Sequence, residues 1–256
     1  MNTQTRSLLN LLAFPVVVSM NAIAAGLPLN GKSTGELSDQ YPNLLTPTGF
    51  TFSIWSVIYL LLGAFVVTQW IDVRRSNDKY VQQLGNWWLI NALLNSVWLV
   101  AWHYEQVLLS FLIMLGILFS LLQIYRRLNI GQESVDTRRK YFVNLPFQVY
   151  LGWISVATAA NTTILLVDNG VDAFSSLAPT LLAVVLLVIL ILGQFMWRRS
   201  SDLAYNLVLL WALYGIWYAN KTEAPIIQSA IVISLAVLLL QLVQTLWMAA
   251  KKVKLM

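Results

Sequence analysis

Residues 107–127 read VLLSFLIMLGILFSLLQIYRR. The run passes from Val107 to Tyr125 without an Asp, Glu, Lys or Arg, and Arg126 and Arg127 close it. A bilayer core about 30 Å thick takes roughly 20 apolar residues per helix, which is what this stretch supplies. Its apolar residues are continuous rather than alternating in ten-residue units, so the reading is a spanning helix and not a barrel strand. Seven further runs free of ionic side chains lie at 8–25, 50–71, 84–102, 141–167, 177–197, 203–219 and 226–250. The run at 203–219 is the shortest of these and holds Tyr205, Asn206, Tyr214 and Tyr218.

The composition of the whole chain agrees. Of 256 residues, 58% are hydrophobic and 11% charged, with a mean hydropathy of +0.68. A soluble domain carries about 25% charged residues. These values exclude a water-soluble globule and a disordered chain, and the absence of cysteine excludes a disulfide-stapled secreted domain. The expected fold class is all-α: a polytopic membrane helical bundle of about eight transmembrane helices, integral and multi-pass, in the cell (plasma) membrane.

The cations give a direction. With eight spans, the N-terminus, the second, fourth and sixth connections and the C-terminus share one side, and that side carries fourteen of the sixteen Lys and Arg residues. Only Lys32 and Lys221 fall opposite. Positive charge marks the cytoplasmic side, so both termini are expected there, and the basic pI near 9.5 is a topology signal rather than a nucleic-acid footprint. No nucleic-acid partner is expected. The partner expected from composition is the lipid bilayer. Small Gly63 and Ala157 permit close helix approach, either within one chain or between the two copies of a homodimer.

Two segments carry alternatives. Arg6, the apolar 8–20 run and Ala22-Ile23-Ala24-Ala25 resemble a signal peptide with its cleavage site, against which stands a retained first helix, kinked at Pro15 and ended by Gly26 and Pro28. The 26–49 connection is polar and turn-rich, reading either as a lid over a binding site or as a plain surface loop.

With no intramembrane charge, function rests on amides, hydroxyls and aromatics. This weakens an ion-coupled transporter, whose buried carboxylates or broken helices are missing, but leaves a facilitator open. His103 is the only histidine, placed at the outer end of the third span and read as an interfacial residue. With no cysteine or second histidine, neither a protein-only zinc site nor a di-histidine haem site is expected. Of eleven tryptophans, Trp70, Trp87, Trp88, Trp102, Trp197, Trp217 and Trp247 fall near span ends, as in an aromatic belt. Trp55, Trp98, Trp153 and Trp211 lie deeper.

Spacing places several of these on common stripes. Phe52, Trp55, Tyr59 and Leu62 share a face of the second span. Asn91, Asn95, Trp98 and Trp102 share one of the third, and Tyr150, Trp153, Ala157 and Asn161 one of the fifth. An unpaired amide in hydrocarbon costs several kcal/mol, so these faces turn inward. By depth, the three stripes converge in the outer half of the bundle, beneath the 26–49 loop. Spacing alone leaves two readings: interhelical hydrogen bonding and packing, or a ligand pocket.

At these residues the chain resembles the TspO/MBR family, the tryptophan-rich sensory proteins related to the translocator protein (peripheral benzodiazepine receptor). Pro47 to Gly63, with Trp55 and Tyr59, is similar to the family's P…VWTxLYxxxG segment. Asn91 to Trp98 is similar to QLxLNxxW, with Asn91 in place of Gln. Tyr150 to Asn161 is similar to PYxxWxxFAxxLN, with Val149 for the proline and Val156 for the phenylalanine. Phe52 and Ser53 replace the glycine–proline pair that precedes the first tryptophan.

The resemblance covers residues 8–167, dividing the chain into a TspO/MBR-like five-helix bundle (1–170) with a long external loop and three additional spans (171–256) whose role it leaves unexplained. It implies an apolar pocket under the first loop for porphyrins, sterols or drug-like aromatics, lined by Trp55, Asn95, Trp153, Ala157 and Asn161. Together with the stripes, the candidate ligand-binding residues are Trp55, Tyr59, Asn91, Asn95, Trp98, Tyr150, Trp153, Ala157 and Asn161. The expected function is a receptor or sensor for a small hydrophobic ligand that is tetrapyrrole-like, a porphyrin or haem-like molecule rather than a cofactor. The alternative is a transporter or facilitator, with Asn206, Tyr214 and Gly215 as its candidate lining. The resemblance also raises light-dependent porphyrin modification through Trp55 and Trp153, for which the residues supply no conventional acid, base or metal.

Overall fold

Proline, glycine and capping side chains punctuate the chain where its helices begin and end. The computed structural model describes residues 1–26, 29–172 and 175–254, and their side chains apart from residue 25 and residues 245–254. The expectations placed on Pro28, Trp247, Lys251, Lys252 and Lys254 lie outside the described residues or side chains. Among the described residues every regular element is helical. These are α1 (Thr3–Gly26), α2 (Thr34–Asp39), α3 (Ile54–Arg74), α4 (Lys79–Leu84), α5 (Trp87–His103), α6 (Val107–Arg127) and the single turn α7 (Thr137–Arg139). A π-helical turn, Lys140–Asn144, leads into α8 (Leu145–Asp168), followed by α9 (Ala178–Ser200), α10 (Leu203–Ala219) and α11 (Pro225–Lys254).

Pro179 sits in the first turn of α9 and Pro225 opens α11, where a missing N–H is harmless and a fixed φ helps, while Pro146 follows the π-helical turn within a continuous helical run. Asp202 caps α10, its carboxylate accepting from Tyr205 N at 2.9 Å. Gly85, at φ +63°, separates α4 from α5, so the third span starts at Trp87 rather than Leu84.

Among the described residues six helical segments are long and apolar enough to cross a membrane, and α5 and α10 reach 17 residues each. At 1.5 Å per residue the two shorter helices run about 25 Å. The eight apolar runs therefore appear as eight helices, two of them just under full span length. α1 runs unbroken through Pro15 to Gly26.

The cationic connections meet at one end. Arg6 Nε donates to Asn86 Oδ1 (3.2 Å), Arg138 pairs with Asp72 (3.0 Å) and Arg139 Nη2 donates to Leu128 O (3.1 Å). At the opposite end Lys32 pairs with Glu105 (2.8 Å) and Asn30 Nδ2 donates to His103 O (3.1 Å). This is the alternation that an even number of spans requires.

α1, α3, α8, α6 and α5 pack around a common core, with α8 against α3, α6 and α10. Gly63 lets α3 close on α1: a Cβ there would stand 3.1 Å from the Phe14 ring, so this small residue serves a contact within the chain. α10 lies between α8 and the α9 and α11 pair, which explains why its sequence is apolar all round.

Candidate functional site

The stretch read as a polar loop folds into structure of its own. Ser33 caps α2 by accepting from Glu36 N (3.3 Å), and Glu36 accepts in return from Ser33 N (2.7 Å). This capping box was legible as Ser33-Thr-Gly-Glu36, an S-x-x-E pattern. The hydrogen bonds from Ser33, backbone first, hold the Glu36 carboxyl below its usual range. The α2 segment seats on α5 through Trp102 Nε1, which donates to Thr34 O (3.4 Å), and through His103. His103 is fully buried rather than interfacial. Its Nδ1 lies 2.8 Å from Leu99 O, which can only accept, so Nδ1 carries the proton and Nε2 accepts from the Thr34 hydroxyl at 3.4 Å.

Beneath this cover lie two volumes that share one wall. The outer chamber is about 490 Å³ and is bounded by Asn21 and Ala22 of α1, Thr34 at the start of α2, Trp55 and Tyr59 of α3, and Trp98 of α5. The inner chamber is only about 50 Å³, lined by Trp98, Trp102, Trp153, Ala157 and Asn161 among others. Thr34, Phe52, Trp55 and Trp98 line both, and the Phe52 and Trp55 rings belong to this shared wall. Trp55 stacks on Tyr59 (5.5 Å between centroids, 17°) and meets Trp153 edge-on at 6.3 Å, while Phe52 meets Trp153 edge-on at 5.8 Å. Trp98 stacks on Trp102 at 6.3 Å.

Three polar hydrogens in this region lack an acceptor. Tyr59 Oη, Trp98 Nε1 and Trp153 Nε1 are all shielded from solvent and make no hydrogen bond. A buried donor left unpaired costs about 1–3 kcal/mol, and of these three Tyr59 borders the outer chamber, Trp153 the inner one and Trp98 both.

The nine candidate residues fall into three sets. Trp55, Tyr59 and Trp98 line the outer chamber. Trp153, Ala157 and Asn161, with Trp55 and Trp98, line the inner one. Asn91, Asn95 and Tyr150 line neither and instead join helices. Asn91 Nδ2 donates to Ser120 Oγ of α6 (2.8 Å). Asn95 Nδ2 donates to Tyr150 Oη of α8 (2.9 Å), and Asn95 Oδ1 accepts from Asn21 Nδ2 of α1 (3.0 Å). For these three the hydrogen-bonding reading of the stripes describes the contacts. Asn95→Ala removes two interhelical bonds and is expected to lower unfolding stability by about 1–3 kcal/mol. Because its partner Asn21 borders the outer chamber, a secondary loss of ligand affinity is expected beside the loss of stability; unfolding in mixed micelles and a binding titration read the two.

The outer chamber also draws on residues that the motifs did not mark. Asn21 and Ala22 belong to α1, and Asn10 and Asn21, eleven residues apart, share a helical face. Asn10 Nδ2 donates to Gln69 Oε1 (2.9 Å), so that inward stripe was readable from the amides alone. Trp102, assigned to the belt by position, is buried and lines the inner chamber.

Among the last three helices, α10 holds the cover in place. Trp211 Nε1 donates to Thr51 O (2.9 Å), Thr48 N to Gly215 O (3.3 Å) and Asn220 Nδ2 to Leu44 O (3.0 Å). Phe50 packs against Trp211, Tyr214 and Tyr218. Gly215 sits so close to the Thr51 side chain that a Cβ would overlap it. Asn206 is likewise a packing residue, donating to Gly193 O (3.3 Å) and Asp202 O (2.9 Å). The segment 44–53, which carries Thr46, Pro47 and Phe52 into the chambers, is thus clamped by α10.

No curated protein and no solved structure was found to match the chain. The family model described as TSPO-like protein matches residues 7–244, a span that takes in the clamping helix α10 as well as the chambers. The chain therefore belongs to the TSPO-like family of membrane proteins.

Proposed function

We propose that this protein is a membrane receptor or sensor for a flat, hydrophobic ligand bearing hydrogen-bond acceptors, with a tetrapyrrole as its leading candidate. The observation that carries the reading is the outer chamber itself. Its 490 Å³ lies within the roughly 300–1,000 Å³ of small-molecule sites, and its lining mixes the aromatic Phe52, Trp55, Tyr59 and Trp98 with the polar Asn21, Ser33, Thr34 and Ser56. Trp55 and Trp98 offer ring faces to a planar macrocycle. Tyr59 Oη and Trp98 Nε1 are donors without partners, which a ligand carbonyl or carboxylate oxygen would satisfy. The tetrapyrrole preference rests on the family resemblance at Trp55 and Trp153. The inner chamber, at about 50 Å³, has room for water but not for a ring system.

The test is a titration of the purified full chain with protoporphyrin, read by the porphyrin's own absorbance so that loss of a tryptophan does not alter the signal. Saturable micromolar binding is expected. Trp55→Ala should weaken it at least tenfold, and Tyr59→Phe about three- to tenfold for one lost hydrogen bond. Trp153→Ala, which changes the inner chamber, should have the smaller effect. Unchanged affinity in folded Trp55→Ala and Tyr59→Phe proteins would remove the site from this chamber.

A further inference from the structure

The opposite end of the bundle holds a second, unrelated cavity. It has a volume of about 120 Å³ and lies where the end of α3 meets α4 and the turn before α8, among Asp72, Lys79, Tyr80, Asp136, Arg138 and Arg139. Its carboxylates are already committed. Asp72 pairs with Arg138 (3.0 Å) and accepts from Tyr80 Oη (2.9 Å). Asp136 accepts from Arg139 N (2.8 Å), capping the helical run that begins at Thr137.

Of the cations, Lys79 and Arg139 are not. Lys79 is exposed and has no acidic partner among the described residues. Arg139 is pinned through Nη2 to Leu128 O (3.1 Å) and Gln83 Oε1 (3.3 Å), both neutral acceptors, and its Nε meets no acceptor at all. Among the lining residues three cations against two carboxylates leave one positive charge uncompensated, at the end of the bundle where the cationic connections gather. A compact anion with several acceptor oxygens fits such a place. A guanidinium held in a fixed orientation matches it better than a mobile ammonium alone. Basic hollows between helices at the cytoplasmic face are where anionic headgroups bind.

We infer that this cavity is a phosphate-group site, with Lys79 and Arg139 as its ligands, filled by an anionic lipid headgroup or by a soluble phosphate. The site is independent of the ligand chamber and stands whether or not a porphyrin binds.

Two measurements on the full-length protein separate the sources. Native mass spectrometry after equilibration with equal phosphatidylglycerol and phosphatidylcholine reads the lipid. Thermal melting in inorganic phosphate, against chloride at matched ionic strength, reads the free ion. A lipid site retains phosphatidylglycerol in preference, and Lys79→Gln cuts that preference about fivefold. A soluble-phosphate site shows a higher melting temperature in phosphate that Lys79→Gln abolishes. Lys79→Gln breaks no bond of the fold, so it tests the charge alone. Arg75→Gln, which deletes a cation at the same end outside the cavity, should change neither readout. Equal effects of Lys79→Gln and Arg75→Gln, or no effect of Lys79→Gln on either readout, would overturn the assignment.

Discussion

Gly215→Val is expected to weaken ligand binding at least tenfold without touching a single residue of the chamber. A Cβ at this position overlaps the hydroxyl and methyl of Thr51, and Thr51 is fully buried with nowhere to retreat. Relief requires 44–53 to move away from α10. That breaks the bonds from Thr48 N to Gly215 O and from Trp211 Nε1 to Thr51 O, and carries Pro47 and Phe52 with it. Overpacking of this kind costs about 1–3 kcal/mol, and misplacing the cover should cost at least tenfold in affinity. Thr51→Ala in the same chain removes the two atoms most in conflict and should restore part of both losses, since the residues are in direct contact. Melting and porphyrin titration of the single and double variants decide it. A Gly215→Val protein that melts and binds like the parent would show that α10 does not hold the cover.

Trp88→Ala is expected to have the largest effect on stability. Trp88 is 1% exposed, packs edge-on against Phe65 (5.8 Å) and Phe147 (6.3 Å), and its Nε1 donates to Asn10 O (3.3 Å). One side chain thus ties α5 to α1, α3 and α8. In water, truncating a buried tryptophan costs about 3–5 kcal/mol. Between helices already in lipid the transfer share of that cost is absent, leaving the cavity and the lost contacts, so about 3 kcal/mol is expected. Unfolding in mixed micelles should show it, and a loss under 1 kcal/mol would mean that the helices collapse into the gap.

These two residues also mark what the sequence could disclose. The positions of the eight membrane helices followed from charge-free runs, because bilayer thickness imposes one length on all of them. The inward direction of the Asn91 and Tyr150 stripes followed from the cost of an unpaired amide. What spacing could not settle was which inward residues border empty space and which fill it. Asn95 and Trp98 lie three positions apart on one face of α5, yet Asn95 is consumed by Asn21 and Tyr150 while Trp98 borders both chambers. That difference depends on the partners' side chains, many helices away in sequence. Trp88 lay near a span end and read as belt, and only its neighbours place it in the core. Gly215 read as a candidate pathway lining, whereas its close packing exists only where Thr51 arrives from more than 160 residues upstream.

The place of Phe52 and Trp55 in the shared wall has a further consequence. Because each ring faces both volumes, a rotation of either one enlarges one space at the other's expense. Guests of graded size would therefore meet a yielding boundary. Discrimination between them would be set by how far two aromatic side chains can swing against Trp153, rather than by a wall of fixed shape.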